Sequence, residues 1–398
     1  MADPLRVLLV GSRILPFRHG GDKNYWLDVI HELRNTGHAV DVLSVALDEV
    51  EAISDFPIHW VRPIPVVFGG ATRFNADHRF LTGTNNYASK TISLPRLFRA
   101  IRRRRREFRP DVIHFADNFG PGMAVARIAC SGIPITISAP TYQRNRMLYD
   151  LALKTSFRPF DTIVPLSDAY AARLRELGFP ADRLRTIRWG VDTNRFAPRT
   201  HEIVRMSRHS LGVRNDDFVI LWTGFTQQSD RPELEFSIEA AARALEHVRE
   251  GLRFLFCFKE EHFQPSFANL ERPGLQVFHT PSAFLAASLA ADVLFSPLLD
   301  ARTTAAPPLV WAEALALGMP VLTTPVPGSE EAVPPGRAGA IVGTADEAAK
   351  WIVTMAGDPA RRRALQESAR AVAVERFSMR KSVEAYVALW RELVAARQ

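Results

Sequence analysis

Apolar runs of four to eight residues alternate along most of the chain with segments whose apolar positions return at helical spacing. Short runs that are apolar throughout fit strands covered on both faces, and the helical segments between them supply the cover. The alternation therefore predicts an α/β fold built on parallel sheets. In the first half, strands are expected at RVLLVGS, AVDVLSVA, IHWVRPIP, DVIHFAD, PITISAP, TIVPLSD and LRTIRWGVD. Helices are expected between them, among others at DKNYWLDVIHELRNTG, PRLFRAIRRRRREF and SDAYAARLRELG. A polar connecting stretch, RFAPRTHEIVRMSRHSLGV, leads to a second series at FVILWTG, RFLFCFK, LQVFHT, VLFSPLL, PVLTTPV and GAIVG. The chain closes on two amphipathic helical segments, PARRRALQESARAVAVERF and SMRKSVEAYVALWRELVAA.

With 398 residues the chain exceeds one ordinary core, and each half is long enough for its own doubly wound sheet. The boundary is placed near 198–215: residues 1–198 form one Rossmann-like domain, 199–375 a second and 376–398 a terminal helix. Hydrophobic residues at 47% and charged residues at 23% describe an ordinary globular protein. Cys130 and Cys257 lie far apart in apolar segments, which argues against a disulfide framework or a zinc site and for a reducing compartment. The opening MADPLRVLLVGS enters a strand at once, unlike a signal peptide. No stretch approaches the roughly 18 apolar residues of a spanning helix. A cytoplasmic protein is expected.

The formal charge of +7 comes from 44 Arg and 6 Lys spread over the whole chain, which reads as compositional bias. The local exception is Arg102–Arg106. It reads as a solvated helix face, or as a peripheral contact with anionic lipid headgroups or a polyanionic acceptor. Nucleic acid is not expected as a partner, because no aromatic residues interleave the arginines.

Ligands of open parallel sheets bind beyond the carboxyl ends of the strands, so residues just after each strand are the ones to read for chemistry. Gly20 and Gly21 precede a helix near Asp22, where free amides and the helix dipole suit an anion, although the GxGxxG fingerprint is absent. His114 and Asp117 end a buried strand; the histidine reads either as a satisfied core residue or as a site residue, and Asp117 as an acceptor for a sugar hydroxyl and the candidate catalytic residue. Arg231 stands near a helix start and Lys259 ends a strand, where each could meet a phosphate or form a surface pair. In TTAAPPLVWAEALALG, Pro307 and Pro308 open a helix, leaving the Leu309 and Val310 amides for an anion. Glu313, one turn further in, can accept two vicinal hydroxyls. The long Gly/Asn-rich stretch with Phe74, Phe80 and Tyr87 reads as an acceptor contact or an ordinary lid.

These segments resemble the family 4 glycosyltransferases. The marks are the early GG, PLSDAYAARLRELG, RWGVDTNRFAP, EALALGMPVLTT and ERFSMRKSVEAYVALWREL, which together run through nearly the whole chain. The resemblance implies a GT-B fold of two facing Rossmann-like domains, with a C-terminal helix crossing back to the first. It implies transfer of a sugar, with retention, from a nucleotide-diphosphate donor to a glycan, glycolipid or small-molecule acceptor, without a cofactor or metal. Glu313 matches the family's ribose-binding glutamate. The family's other donor-site acid falls at Ala305, its Gly-Phe-Gly at Ala306, Pro307 and Pro308, its arginine at Phe225 and its strand-end histidine at Ala116. Thr303, Thr304 and Asp300 are then the candidates to replace the lost carboxylate, and Arg231, Lys259 and the Gly20–Gly21 amides the candidates to hold the departing diphosphate. The same departures keep open an inactive GT-B partner or scaffold, and a GT-B epimerase or phosphorylase is the further alternative.

Overall fold

The computed structural model describes residues 3–12, 21–45, 56–64, 91–139, 147–224, 231–258, 265–299 and 307–397. Two compact units emerge, one drawn from Met1–Gly190 and Met379–Gln398, the other from Val191–Ala301 and Pro307–Ser378.

The first unit carries strands β1 (Arg6–Ser12), β2 (Ala39–Val45), β3 (Ile58–Val61), β4 (Val112–Phe115), β5 (Ile135–Ala139) and β6 (Thr162–Pro165). They form one parallel sheet in the order β3-β2-β1-β4-β5-β6. Helix α1 (Gly21–Asn35) follows β1, α2 (Leu94–Glu107) precedes β4, and α3 (Met147–Phe157) precedes β6. Because strand side chains alternate, Leu8, Val10, Ile113, Phe115, Ile135 and Ile137 face one core with Leu97 and Ile101 of α2. After α4 (Asp168–Glu176), LRTIRWGVD runs extended beside β6 without becoming a full strand. Only the Arg185 and Ile187 amides reach β6, each at 3.1 Å, to Ile163 and Pro165. The segment then turns away: a Cβ on Gly190 would stand 2.6 Å from the Met379 Cα, an approach only glycine allows.

The second unit holds β7 (Phe218–Gly224), β8 (Leu252–Phe258), β9 (Leu275–Phe278), β10 (Val293–Phe295), β11 (Val321–Thr323) and β12 (Gly339–Ile341), all parallel, in the order β12-β11-β10-β7-β8-β9. The expected polar connection contains helix α5 (His201–Ser210), capped by the Thr200 hydroxyl. Its Arg208 is only 4% exposed and holds Asp292 at 2.8 Å and the Ala290 carbonyl at 3.1 Å. A polar pattern thus conceals a helix that sends one buried arginine inward. Helix α6 (Arg231–His247) follows β7, and α7 (Pro281–Ala290) precedes β10. Helix α8 (Leu309–Ala316) follows β10, with α9 (Ala345–Gly357) and α10 (Pro359–Arg376) after β12. FVILWT splits between two cores: Val219 and Leu221 pack with Trp311 and Leu315 of α8, whereas Phe218, Ile220 and Trp222 pack with Ala240, Ala241 and Ala244 of α6. Helices α6 and α8 therefore cover opposite faces of the sheet.

The last helix, α11 (Met379–Ala395), belongs to the first unit. Tyr386 meets the Ser138 hydroxyl at 3.0 Å, the Trp390 indole donates to Thr136 at 3.2 Å, and Ser382 meets Tyr25 of α1 at 2.9 Å. The expected return of the C-terminal helix to the first unit is observed.

Candidate functional site

In each sheet the strand order reverses once, between β1 and β4 and between β7 and β10. The carboxyl ends at such a reversal leave a crevice, because the helices that follow depart to opposite faces.

In the second unit the crevice is bounded by the ends of β7 and β10 and by the starts of α6 and α8. Pro308 caps α8, accepting the Trp311 amide at 2.9 Å. The Leu309 and Val310 amides occupy the first turn, where an α-helix has no internal acceptor to offer. Glu313 is half-buried on the same helix. The buried Trp311 donates its indole N–H to Ser296 Oγ at 2.9 Å and so ties α8 to β10.

The segment leaving β10 is held at its root. Thr323 donates to the Ser296 carbonyl at 2.8 Å, while Thr324 receives the Leu298 amide at 2.7 Å and donates to the Leu298 carbonyl at 2.6 Å. The Leu299 amide donates to Oε1 of Glu233, in the first turn of α6, at 3.2 Å. Glu233 was not among the residues singled out from the sequence. An acid in a first helical turn ordinarily reads as a complement to the dipole, and its partner 66 positions away has no local signature. Arg231 opens α6, but its side chain lies outside the described part. Lys259, Thr303 and Thr304 also lie outside the described residues, as do Phe225, Asp300, Ala305 and Ala306.

In the first unit, Gly21 is the first residue of α1, and Gly20 lies outside the described residues. Asp117 is half-buried just beyond β4, at the same reversal. The turn after it is shaped by Asn118, whose Oδ1 receives the Gly120 amide at 2.9 Å, and by Gly120 in the left-handed region at φ 97°. Ala116 is buried and its amide donates to Val10 at 2.8 Å. Phe74, Phe80 and Tyr87 fall outside the described residues.

His114 belongs to the core. It is wholly buried, with Nδ1 2.7 Å from Thr136 Oγ1 and Nε2 3.1 Å from Ser138 Oγ. Trp26, Tyr386 and Trp390 surround it at centroid distances of 4.9, 5.2 and 5.6 Å. Burial pushes its pKa down to about 3, so the ring is neutral.

Arg102–Arg106 occupy the last turns of α2 and do not act as one patch. Arg103 pairs with Glu107 at 2.9 Å, and Arg104 reaches the buried Asp41 of β2 at 2.6 Å. Arg102 and Arg106 are exposed.

A cavity of about 690 Å³ opens elsewhere on the first unit, near the amino end of β6. Two charge pairs line it: Arg127 with Asp161 at 2.8 Å and Arg185 with Glu392 at 2.8 Å. It lies at the wrong end of the strands to be the crevice.

Two parallel, doubly wound units, each with a reversal crevice at its carboxyl edge, define a protein of the GT-B class. Family models agree: "Glycosyltransferase Family 4" matches residues 19–195, and "Glycosyl transferases group 1" matches residues 217–358. The chain belongs to the family 4 glycosyltransferases. WcaL of Escherichia coli K12, assigned as a glycosyltransferase to colanic acid biosynthesis, is 26% identical over 260 residues, 59% of this chain and 58% of its own length. The D-inositol 3-phosphate glycosyltransferase of Corynebacterium urealyticum is 28% identical over 255 residues, 58% of this chain and 57% of its own length. The chain thus spans a little over half the length of these relatives. Among solved structures, a glycosyltransferase of Rickettsia africae superposes with a TM-score of 0.72 at 15% identity, covering 99% of both chains. Anabaena HepE in complex with UDP and glucose superposes with a TM-score of 0.68 at 16% identity, covering 97% of this chain and 99% of its own. At such identity these structures establish the fold alone.

Proposed function

We propose that this chain transfers a sugar from a nucleotide-diphosphate donor to a glycan, glycolipid or small-molecule acceptor, with retention at the anomeric carbon. The observation that carries this reading is Glu313, half-buried on α8, one turn inside a helix entry at the reversal crevice of the second unit. In this reading the two ribose hydroxyls donate to Glu313. The diphosphate lies against the Leu309 and Val310 amides, where the helix dipole favours an anion. Arg231 and Lys259 take up negative charge as the bond from the anomeric carbon to the diphosphate oxygen breaks. On the first unit, Gly20 and Gly21 remain the proposed anion-facing helix entry and Asp117 the proposed acceptor for a sugar hydroxyl. Diphosphate charge is assigned here to side chains and amides, so transfer is expected to continue in excess EDTA.

Family membership weighs against an inactive partner, an epimerase or a phosphorylase. UDP-glucose heads the trial donors, because Anabaena HepE is described in complex with UDP-glucose. Calorimetry against UDP-, GDP-, ADP- and dTDP-sugars tests the reading. We expect binding of at least one donor, weakened in Glu313→Ala; binding of none overturns it. The anomeric proton coupling of the product, read by NMR, tests retention.

A further inference from the structure

The cavity of about 690 Å³ at the amino end of β6 belongs wholly to the first unit and lies at the opposite end of the strands from the crevice. We propose that it is a second binding site, for a phosphorylated sugar. Its arginines hold the phosphate, and its hydroxyl and carboxylate groups hold the sugar. The volume suits such a ligand, since small-molecule sites run from about 300 to 1,000 Å³.

The charge balance favours an anion. Three cations stand there outside the Arg127–Asp161 and Arg185–Glu392 pairs: Arg158, Arg183 and Arg397, the last donating to both oxygens of Asp161 at 2.9 Å. One lining carboxylate, Asp182, stands outside the same pairs. Three less one leaves a surplus of two positive charges. A phosphate monoester carries about 1.5–2 negative charges at neutral pH.

Arg183 is half-buried and meets no carboxylate among the described residues. Its Nη2 donates to the carbonyls of Phe157, Arg158 and Phe160, which fixes the guanidinium and leaves the Nε and Nη1 hydrogens. A guanidinium held by carbonyls and short of an anion is preorganised for phosphate, whose oxygens match its fork. Arg158 is exposed, and its side chain has no partner among the described residues, so it can swing onto the ligand without breaking a contact.

Sugar hydroxyls find partners on the same walls. Thr162 pairs in register with Thr136, whose hydroxyl accepts the indole N–H of Trp390 of α11. Register partners share a face of a parallel sheet, so Thr162 points toward α11, which adds Leu389 and Leu393 to the cavity wall. Thr162 is 4% exposed, yet its hydroxyl has no hydrogen bond among the described residues. A buried hydroxyl calls for a partner, and a sugar hydroxyl can both donate and accept. Asp182, exposed on the rim, accepts another.

Methyl NMR with Leu389 and Leu393 labelled reads the site directly. Glucose 6-phosphate is the probe, with inorganic phosphate and glucose alongside at constant ionic strength. We expect glucose 6-phosphate to shift both leucine methyls saturably in the millimolar range or below. It should bind at least about threefold more tightly than inorganic phosphate, and glucose more weakly than either. Arg158→Ser should weaken it about 10-fold and Thr162→Val about threefold, the order of one charged and one neutral hydrogen bond. Neither substitution removes a side-chain hydrogen bond, so both proteins should keep the wild-type fold. Glu313→Ala should leave this binding unchanged. No shift at the two leucines, equal affinity for the sugar phosphate and inorganic phosphate, or wild-type affinity in either Arg158→Ser or Thr162→Val would overturn the inference. Loss of binding in Glu313→Ala would move the ligand to the crevice and overturn it as well.

Discussion

Arg370 of α10 donates to the Ala316 carbonyl at the carboxyl end of α8 at 2.7 Å. The same guanidinium donates to Phe196 at 2.9 Å and Thr193 at 2.8 Å. GVDTNRF and EALALG, two of the marks that carry the family resemblance, are thus joined by one side chain from a third segment. The helix so held is the one that bears Glu313.

Removing that guanidinium strips three carbonyls of a donor in a part-buried setting. Arg370→Ala is expected to lower stability by about 3 kcal/mol, since each orphaned group costs of order 1 kcal/mol or more. Chemical denaturation checks this. At protein concentrations and temperatures where the variant stays folded, nucleotide affinity should also fall, because α8 loses its far anchor. Unchanged stability would show that water replaces the guanidinium without cost.

Glu313→Ala should weaken nucleotide binding about 10–100-fold, the value of a hydroxyl–carboxylate contact. The loss should be similar for free nucleotide and nucleotide sugar, because the proposed partner is the ribose. Calorimetry on both ligands checks this.

His114 predicts a specific response to acid. Its pKa is about 3 in the folded chain, against roughly 6.5 when unfolded. Below about pH 6.5 the unfolded chain takes up a proton that the native core refuses, so stability falls as pH falls. The slope is about 1.4 kcal/mol per pH unit until the folded pKa is reached, and the effect is absent above about pH 7. Urea midpoints measured at neutral and at mildly acid pH should therefore converge less in wild type than in His114→Gln. Equal acid sensitivity of the two proteins would contradict the burial argument.

Within Arg102–Arg106 the positions should behave differently. Asp41 is 2% exposed at its side chain and has Arg104 at 2.6 Å, so Arg104→Ala leaves a buried carboxylate without that cation. A loss of about 3 kcal/mol is expected. Arg102→Ala and Arg106→Ala should stay within about 0.5 kcal/mol, as exposed sites usually do. If the helix end also touches anionic lipid, the exposed pair should carry it. Flotation with phosphatidylserine vesicles should then be salt-sensitive in wild type and lost in the Arg102→Ser, Arg106→Ser double variant. Absence of flotation in wild type would remove the membrane contact.

Gly190 lies 2.6 Å from the Met379 Cα and 2.9 Å from the Ser382 Cβ, measured from where its own Cβ would be. Gly190→Ala must push α11 away from the extended segment, at a cost of about 1–3 kcal/mol. Thermal unfolding of the variant checks it.

The sequence by itself determined the α/β class, the parallel sheets and most of the elements. The reason is that strands buried on two faces and helices buried on one impose different local periods. FVILWT reads as a fully apolar run because its alternate residues feed two cores, one under α8 and one under α6. The helix entry at Pro307–Pro308 was legible for the same local reason, since proline tolerates the start of a helix and little else in one. Long-range partners were decided only by the tertiary structure. The polar stretch around α5 concealed a buried Arg208, because two of its acceptors, Ala290 and Asp292, sit 82 and 84 positions away. His114 was ambiguous until Trp26 of α1 and Tyr386 and Trp390 of α11 closed around it from two other segments. Glu233 looked like any first-turn acid until the strand order carried Leu299 across to it. Local periodicity is written in neighbouring residues, whereas a side chain's partner depends on which strands lie side by side, and that order is settled only when the whole sheet closes.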